Sequence, residues 1–306
     1  VILNDTAGVL ITLNNTNNFS VNNLTLNVAT NGTHAINITG NVNNIKIRNC
    51  KIFANPNATT ETYCAIFKSY NTGFANNIDI SNNTIDGGFN SILMVGGNTS
   101  VSGNNIKIDS NICTNYDYLG IHVNYGNATS LSYNNIRARS TNGYVHSYCI
   151  AIQNGTALKI VNNKLYLNRL ASTTNTYALY IKNINRYIPT RVLVCNNDIR
   201  INSASSTTYA VYTHTANFNF YNNSVYTTSS GGGAGLHIYS SAATLYNNIF
   251  YNTNLYPIVV GSSSVVSDYN NLQGGSFNLA SWQSSSGQDA HSLSIQPRFI
   301  NSAINL

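Results

Sequence analysis

The sequence predicts an all-β protein, a β-solenoid of about ten coils, on three observations. Polar corners, most of them an Asn pair, recur at intervals of 22 to 34 residues; a short alternating apolar run precedes each of them, and a second short strand lies about midway between them. A repeat of this kind buries one face but never supplies a helix, so it cannot close a core alone. Stacking coil upon coil provides that core.

The first strand of each repeat ends at a polar corner, as in IKIRNC, IDISNN, LKIVNN, VLVCNN and FNFYNN. Asn tolerates left-handed backbone at such a corner, and its amide both donates and accepts hydrogen bonds. We therefore expect inward-turned Asn side chains to form a hydrogen-bonded file along the axis, with a local break at Cys50. The predicted file comprises Asn22, Asn83, Asn111, Asn134, Asn163, Asn197, Asn223, Asn248 and Asn270.

The second strand of each repeat appears in segments such as HAINI, LGIHV, YCIAI, YALYI and AGLHI. Its third and fifth residues are mostly aliphatic and should point inward, whereas the first and fourth should point outward. The first position is Tyr148, Tyr177 and Tyr209 on consecutive coils, which predicts a stack of rings. We interpret that stack mainly as a structural ladder.

The outward residues of this strand also form a candidate glycan-binding patch. We expect the patch to comprise Tyr180, Lys182, Tyr212, His214, His237 and Tyr239. Aromatic rings with hydrogen-bonding rims suit sugar rings. The same residue types also pack well on any pleated outer surface, so a purely structural interpretation stays open.

Composition restricts the other functional classes. The chain has 306 residues, of which 42 % are hydrophobic and only 8 % are charged, and 55 are Asn. The net charge of +6 reflects scarce acids, and without a basic run we predict no nucleic-acid partner. The sequence contains no apolar run of about 18 residues, so it predicts no membrane span. Five Cys without a CxxC spacing predict small core residues and neither a disulfide framework nor a zinc site.

Catalytic and metal-binding constellations are not evident. A glycoside hydrolase needs carboxyl groups roughly 5–10 Å apart, but Asp79 and Asp109 fall at different offsets from their corners and no two acids share a column on adjacent coils. We therefore predict no catalytic residues and no cofactor, with weak calcium binding at most. His122 and His237 share an outward column, but four coils, about 19 Å, separate them, so we predict no metal site.

The pattern GI-x-I followed by I-x-I-x-NN-x-I resembles the right-handed parallel β-helix repeat of pectin-lyase-like proteins over nearly the whole chain. The tail SDYNNLQGGSFNLASWQSSSGQDAHSLSIQPRFINSAINL is similar to the segment that closes such domains in surface proteins of Bacteroidota, many of them exported by the type IX system. The resemblance implies right-handed coiling and a secreted or cell-surface location. We assign coils to 1–264 and a last coil with a cap to 265–306, where Trp282 should cover the core.

Two functions remain open at this point. The first is a non-catalytic stalk or adhesin module that contacts a polysaccharide or cell-surface glycan. The opening residues lack Met and are already strand-like, so we expect a piece of a longer chain whose other domains are partners. The alternative is a polysaccharide lyase or glycoside hydrolase acting on an acidic glycan. The positive net charge and the Tyr/Lys/His patch favour this alternative. The scarcity of paired acids favours the first.

Overall fold

The protein is an all-β parallel solenoid with almost no helix, as the sequence predicts. Its computed structural model describes residues 1–297 apart from 6, 7, 29, 31, 61, 62, 69–72, 97–102, 141–145, 170–174, 186–189 and 255. Within these residues, three long parallel sheets run side by side along the molecule, and each turn of the chain adds one strand to each of them.

The three sheets are called sheet 1, sheet 2 and sheet 3 in the order in which the chain visits them. Sheet 1 contains Ile2–Asp5, Thr25–Val28, Lys51–Phe53, Thr84–Asp86, Ile112–Tyr116, Asn135–Ala138, Lys164–Arg169, Asp198–Ser203, Ser224–Ser229, Ile249–Asn252 and Asn271–Gly274. Sheet 2 contains Val9–Asn14, His34–Thr39, Cys64–Lys68, Asn90–Val95, Leu119–Asn124, Ser147–Gly155, Asn175–Ile184, Thr207–His214, Gly232–Tyr239 and Tyr256–Gly261. Sheet 3 contains Asn17–Asn22, Val42–Arg48, Ala75–Ser81, Ile106–Asp109, Thr129–Ser132, Ala157–Val161, Val192–Cys195, Asn217–Tyr221, Ala242–Tyr246 and Ser264–Asp268.

Alternating side chains explain why these segments form stacked strands. In sheet 3, Ile45 pairs with Ile78 and Ile47 with Ile80, so the apolar residues of neighbouring coils lie directly above one another. Removing each such side chain from water contributes roughly 1.5–3 kcal/mol. The resulting apolar core extends without interruption from Leu13 to Leu272.

The expectation that cysteines serve as small core residues fits three of them closely. Cys50, Cys113 and Cys149 belong to the main core. Cys64 is buried in a smaller cluster outside it, and Cys195 is only half-buried.

Among the described residues, three further elements lie outside the three sheets. The short strands Gly103–Asn104 and Gly126–Asn127 pair with each other. A helix covers Leu279–Ser286; Asn278 caps its start by accepting a hydrogen bond from the Ser281 N–H. Sequence reasoning did not predict this helix, because its segment LASWQSSS has no marked apolar periodicity.

The segment after the last coil covers one end of the core. Trp282, Phe277 and Leu279 are partly buried against it, which confirms the prediction for Trp282. The Trp282 indole Nε1 donates a hydrogen bond of 2.8 Å to Asp289 Oδ2. The predicted boundary after residue 264 falls within the last strand of sheet 3, and residues 298–306 of the predicted cap lie outside the described part.

Buried Asn side chains form a hydrogen-bonded file at the corner between sheets 3 and 1. Asn163 Oδ1 accepts hydrogen bonds from the backbone N–H and the Nδ2 of Asn134, at 2.9 and 3.1 Å. Its own Nδ2 donates to Asn197 Oδ1 and to the Leu131 carbonyl. The same links join Asn83, Asn111, Asn134, Asn163, Asn197, Asn223, Asn248 and Asn270. Each internal amide thereby uses both donors and both acceptor positions.

The two ends of the file have different partners. At one end Asn83 Oδ1 accepts the backbone N–H of Cys50, whose thiol donates to backbone carbonyls instead of continuing the file. At the other end Asn270 Nδ2 donates to the carboxylate of Asp289, at 3.0 Å. Asp289, which accepts hydrogen bonds but donates none, therefore terminates the file at the end where Asn270 donates.

The expectation for Asn22 is wrong, because Asn22 lies outside the file. The left-handed corner residue of its coil is Asn23, just as Asn82 is the corner residue before Asn83. Leu24 thus occupies the position that Asn83 occupies two coils later. Asn22 is exposed and accepts a hydrogen bond of 3.0 Å from Asn49 Nδ2.

Candidate functional site

The outer face of sheet 2 carries the candidate site, in three columns that run along the axis. Column I contains Leu119, Tyr148, Tyr177, Tyr209 and Ala234. Column II contains Leu93, His122, Ala151, Tyr180, Tyr212, His237 and Val259. Column III contains Val95, Asn124, Gln153, Lys182, His214, Tyr239 and Gly261. The structure thus places all six residues of the predicted patch in columns II and III, on three adjacent coils.

The rings of columns I and II are arranged as a herringbone. Tyr148 and Tyr177 are parallel within 9°, at 5.1 Å between ring centroids, and Tyr177 and Tyr209 follow at 5.9 Å, which confirms the predicted stack. Tyr180 and Tyr212 are parallel within 6° at 5.4 Å. Between the columns the rings meet edge to face, as Tyr177 and Tyr180 do at 70°. Both geometries are favourable for aromatic pairs.

This packing changes what the surface offers to a ligand. Because each ring covers part of the face of its neighbour, the herringbone presents mostly ring edges and phenol hydroxyls. Tyr177 is only 8 % exposed, whereas Tyr239 at the margin of the patch is 41 % exposed. Tyr239 stacks on His214 at 5.0 Å, and its other side lies over Gly261. We therefore expect an uncovered ring face only at the ends of the columns and where a column is interrupted.

Four rings of the site, those of Tyr177, Tyr180, Tyr212 and His237, are neutral near pH 7. Burial raises the pKa of Tyr177 to about 12 and also raises the pKa of Tyr180 and of Tyr212, so the phenols remain protonated donors. Burial lowers the pKa of His237, which keeps its imidazole uncharged. Lys182 in column III adds the one basic side chain of the predicted patch.

Sequence reasoning missed how far the aromatic surface extends. Tyr118 precedes its strand and contacts Tyr148 edge to face at 5.5 Å, and Phe89 contacts Tyr118 at 5.2 Å. Both residues lie just outside the strand positions that the repeat identifies. The only signal in the sequence is their aromatic character directly before a strand.

A cavity of about 160 Å³ lies beside this extension and was also missed. Its lining comprises Asn90, Leu93, Val95, Tyr118, Leu119, His122, Asn124, Tyr148, Ala151 and Gln153. Ala151 supplied a signal that could have revealed it, because it is the one small residue in column II between His122 and Tyr180.

The acids make structural contacts. Arg48 forms an ion pair with Asp79; burial alone would raise the pKa of Asp79, but the hydrogen bonds from Arg48 and Ser81 and the charge of Lys107 outweigh burial and lower it. Arg200 contacts Asp198 through two nitrogens.

Two further carboxylates have partners of other kinds. Asp86 accepts from Thr114 and Asn115, and Asp268 pairs with His291. Glu61 lies outside the described residues.

In the described part of the chain, no group of three or more His, Cys, Asp or Glu side chains is placed to hold a metal ion. Across the same residues, no helix has the length and apolar character needed to cross a bilayer.

Comparisons with protein-family models, with curated proteins and with solved structures find no match for this chain. The geometry defines a parallel β-solenoid with an aromatic outer face. The resemblance to pectin-lyase-like proteins and to proteins of Bacteroidota stays a prediction.

Proposed function

We propose that the chain is a rigid, non-catalytic module of a secreted or cell-surface protein, a stalk or adhesin that binds glycans through the outer face of sheet 2. The observation that carries the proposal is the connected aromatic surface on that face. Its rings are Tyr118, Tyr148, Tyr177, Tyr180, Tyr209, Tyr212, His214, His237 and Tyr239.

The dimensions of this surface suit an extended oligosaccharide. The rings occupy five successive coils, from Tyr118 to Tyr239, which span about 19 Å at the strand spacing. Neighbouring rings repeat at 5.1 to 5.9 Å, a distance comparable to the length of one sugar ring. Several sugars could therefore lie along the axis in similar surroundings.

The chemistry of the surface also fits a polyhydroxylated ligand. Phenol hydroxyls and ring edges offer hydrogen bonds beside apolar contact. The stacked rings hold one another in place before any ligand arrives, which reduces the entropy that binding must offset. The continuous sheets provide the stiffness expected of a stalk, on the order of 50 Å long for ten coils.

A lyase acting on an acidic polysaccharide fits this site less well. A Tyr base abstracts a proton as a phenolate, but burial raises the pKa of Tyr180 and of Tyr212. Incubation with uronate polysaccharides, followed by ultraviolet absorbance of unsaturated products, tests this alternative. Steady product formation would replace the binding proposal with a lyase.

The binding proposal is tested by a glycan array followed by calorimetry on the glycans that bind. We expect Tyr212→Ala and Tyr180→Ala to weaken binding at least tenfold, because each substitution removes a ring and opens the herringbone. Tyr226→Ala is the matched control: its ring stacks on Tyr251 at 5.4 Å, but on the outer face of sheet 1. Equal affinity in all variants, or no glycan bound by the wild type, would contradict the proposal.

A further inference from the structure

Column II is interrupted at one position within the aromatic surface. Ala151 stands between His122 and Tyr180, and each of these neighbours lies one coil away. At the strand spacing the two flanking coils are about 9.6 Å apart. A ring needs about 3.5–4.0 Å to the atoms on either side, so the interruption leaves space for one ring layer.

The cavity described above adjoins this interruption on the side of His122, because its lining lies on the coils of Asn90, His122 and Ala151. Ala151 is 1 % exposed and contributes to the lining together with His122 and Tyr148. The volume of about 160 Å³ is close to that of an engineered cavity of about 150 Å³ that holds benzene. Pockets for drug-sized ligands are larger, about 300–1,000 Å³. The space therefore accommodates one six-membered ring.

The polar groups of the lining need a hydrogen-bonding occupant. Asn90 is fully buried, and its Oδ1 has no hydrogen-bond partner among the described residues, while its Nδ2 donates to Cys64 Sγ. A buried acceptor without a donor is destabilising, and a ligand hydroxyl would supply the donor. Gln153 Nε2 lies 3.3 Å from His122 Nε2, so an amide and an imidazole edge the same space. A purely apolar ring would leave Asn90 Oδ1 unsatisfied.

The lining also distinguishes neutral from acidic sugars. None of its residues is Lys, Arg, Asp or Glu. Burial lowers the pKa of His122 to about 4, so its imidazole is neutral at pH 7. A uronate carboxylate would therefore enter without a cation to compensate its desolvation.

We infer that the cavity over Ala151 is a subsite for a single neutral pyranose, the terminal sugar of a glycan that lies along the rings of sheet 2. The inference rests on the proposed function and adds the position and the class of one sugar. In this arrangement Tyr148 contacts the sugar ring, and Asn90 and Gln153 bond to its hydroxyls. The rest of the glycan continues over Tyr180 and Tyr212.

The test uses methyl glycosides of glucose, galactose, mannose and xylose, with methyl glucuronide as the acidic comparison, and detects binding by saturation-transfer NMR and calorimetry. We expect at least one neutral glycoside to bind and methyl glucuronide to bind at least tenfold more weakly. Ala151→Phe fills the cavity and should reduce glycoside binding at least tenfold. Leu158→Phe places the same ring on the exposed face of sheet 3, away from the site, and should leave binding unchanged.

A second variant covers the case in which Ala151→Phe does not fold. Gln153→Leu keeps the approximate size of the side chain but removes its amide, and it should weaken glycoside binding several-fold. Unchanged glycoside binding in a folded Ala151→Phe variant, or in Gln153→Leu, would overturn the inference. If long glycans require Tyr212 but no methyl glycoside binds, the subsite fails and the proposed function stands. If the wild type binds no glycan at all, both fail.

Discussion

The Asn file and the aromatic face of sheet 2 are both axial arrays of like side chains at the strand spacing, yet they differ in regularity. In the file, every internal amide makes the same hydrogen bonds, and no position between Asn83 and Asn270 departs from Asn. Columns I to III mix Tyr, His, Lys, Gln and Ala on neighbouring coils. The difference separates an array that must be complete to be stable from one whose interruptions leave room for a ligand.

The comparison predicts the largest effect for a break in the file. Asn163→Ala would remove the acceptor of the Asn134 N–H and Nδ2 and the donor to the Leu131 carbonyl. At about 1–3 kcal/mol for each unsatisfied buried group, we expect a loss of about 3–5 kcal/mol in the free energy of unfolding, measured in urea.

The exposed Asn202, which donates to Asn168 Oδ1, provides the control for this measurement. Asn202→Ala should cost less than about 0.5 kcal/mol, as surface substitutions usually do. Similar losses in the two variants would refute the special role of the buried file.

A substitution at the end of the file should destabilise the protein nearly as much as one in its middle. Asp289 is 1 % exposed and accepts hydrogen bonds from Ser267, Asn270, Ser292 and Trp282. Asp289→Ala should cost about 2–4 kcal/mol, because it leaves several buried donors unpaired. Hydrogen exchange should show the faster opening in the last coil.

Asp268, in the adjacent last coil, is the matched acid, and its partner His291 is exposed. Asp268→Ala should cost about 1 kcal/mol or less. An equal effect of the two substitutions would mean that the Asp289 contacts do not anchor the end.

The aromatic columns should show a graded response. Tyr177 contacts the rings of Tyr148, Tyr180, Tyr209 and Tyr212, so Tyr177→Ala should cost about 2–3 kcal/mol. Truncation of the exposed Tyr239 to Ala should lower the free energy of unfolding by about 0.5 kcal/mol. Thermal and urea unfolding of the two variants measure the difference, and equal losses would show that the herringbone adds no cohesion.

The smallest expected effect is the pH dependence of stability that His122 contributes. The Asn file is uncharged and contributes none. Burial lowers the pKa of His122 to about 4, below its usual value of about 6.5. Between these values the unfolded chain binds more protons, so stability falls as pH decreases through this window. From pH 7 to pH 5 the wild type should lose about 2 kcal/mol more than His122→Gln. A parallel pH dependence of the two proteins would contradict this assignment.

Strand periodicity made most of the fold predictable from the sequence. An inward aliphatic residue recurs at every second position, and Asn tolerates the left-handed corner, so strands and corners could be aligned without coordinates. Asn22 was misplaced because the Asn pair of its coil directly follows the inward residue Val21, whereas the pair Asn82 and Asn83 begins one residue later, after Ser81.

The site was less predictable, because its properties depend on contacts between coils. The columns fixed which patch residues are neighbours, but the herringbone depends on ring orientation, which the sequence does not specify. The buried Arg169, which donates to the Asp117 carbonyl, likewise follows no periodic pattern. The cavity over Ala151 requires the three-dimensional positions of Tyr118 and His122, which lie on the preceding coil.

The amide dipoles of the file all point the same way, with each Nδ2 directed toward the following coil. Any rung between Asn83 and Asn270 can therefore be duplicated or deleted as a whole coil while the sequence of donors and acceptors stays intact. Only Cys50 and Asp289 have to keep their places. The length of such a rod can thus vary in evolution or by engineering in steps of one coil, whereas joining two rods in opposite orientations would set acceptor against acceptor or donor against donor.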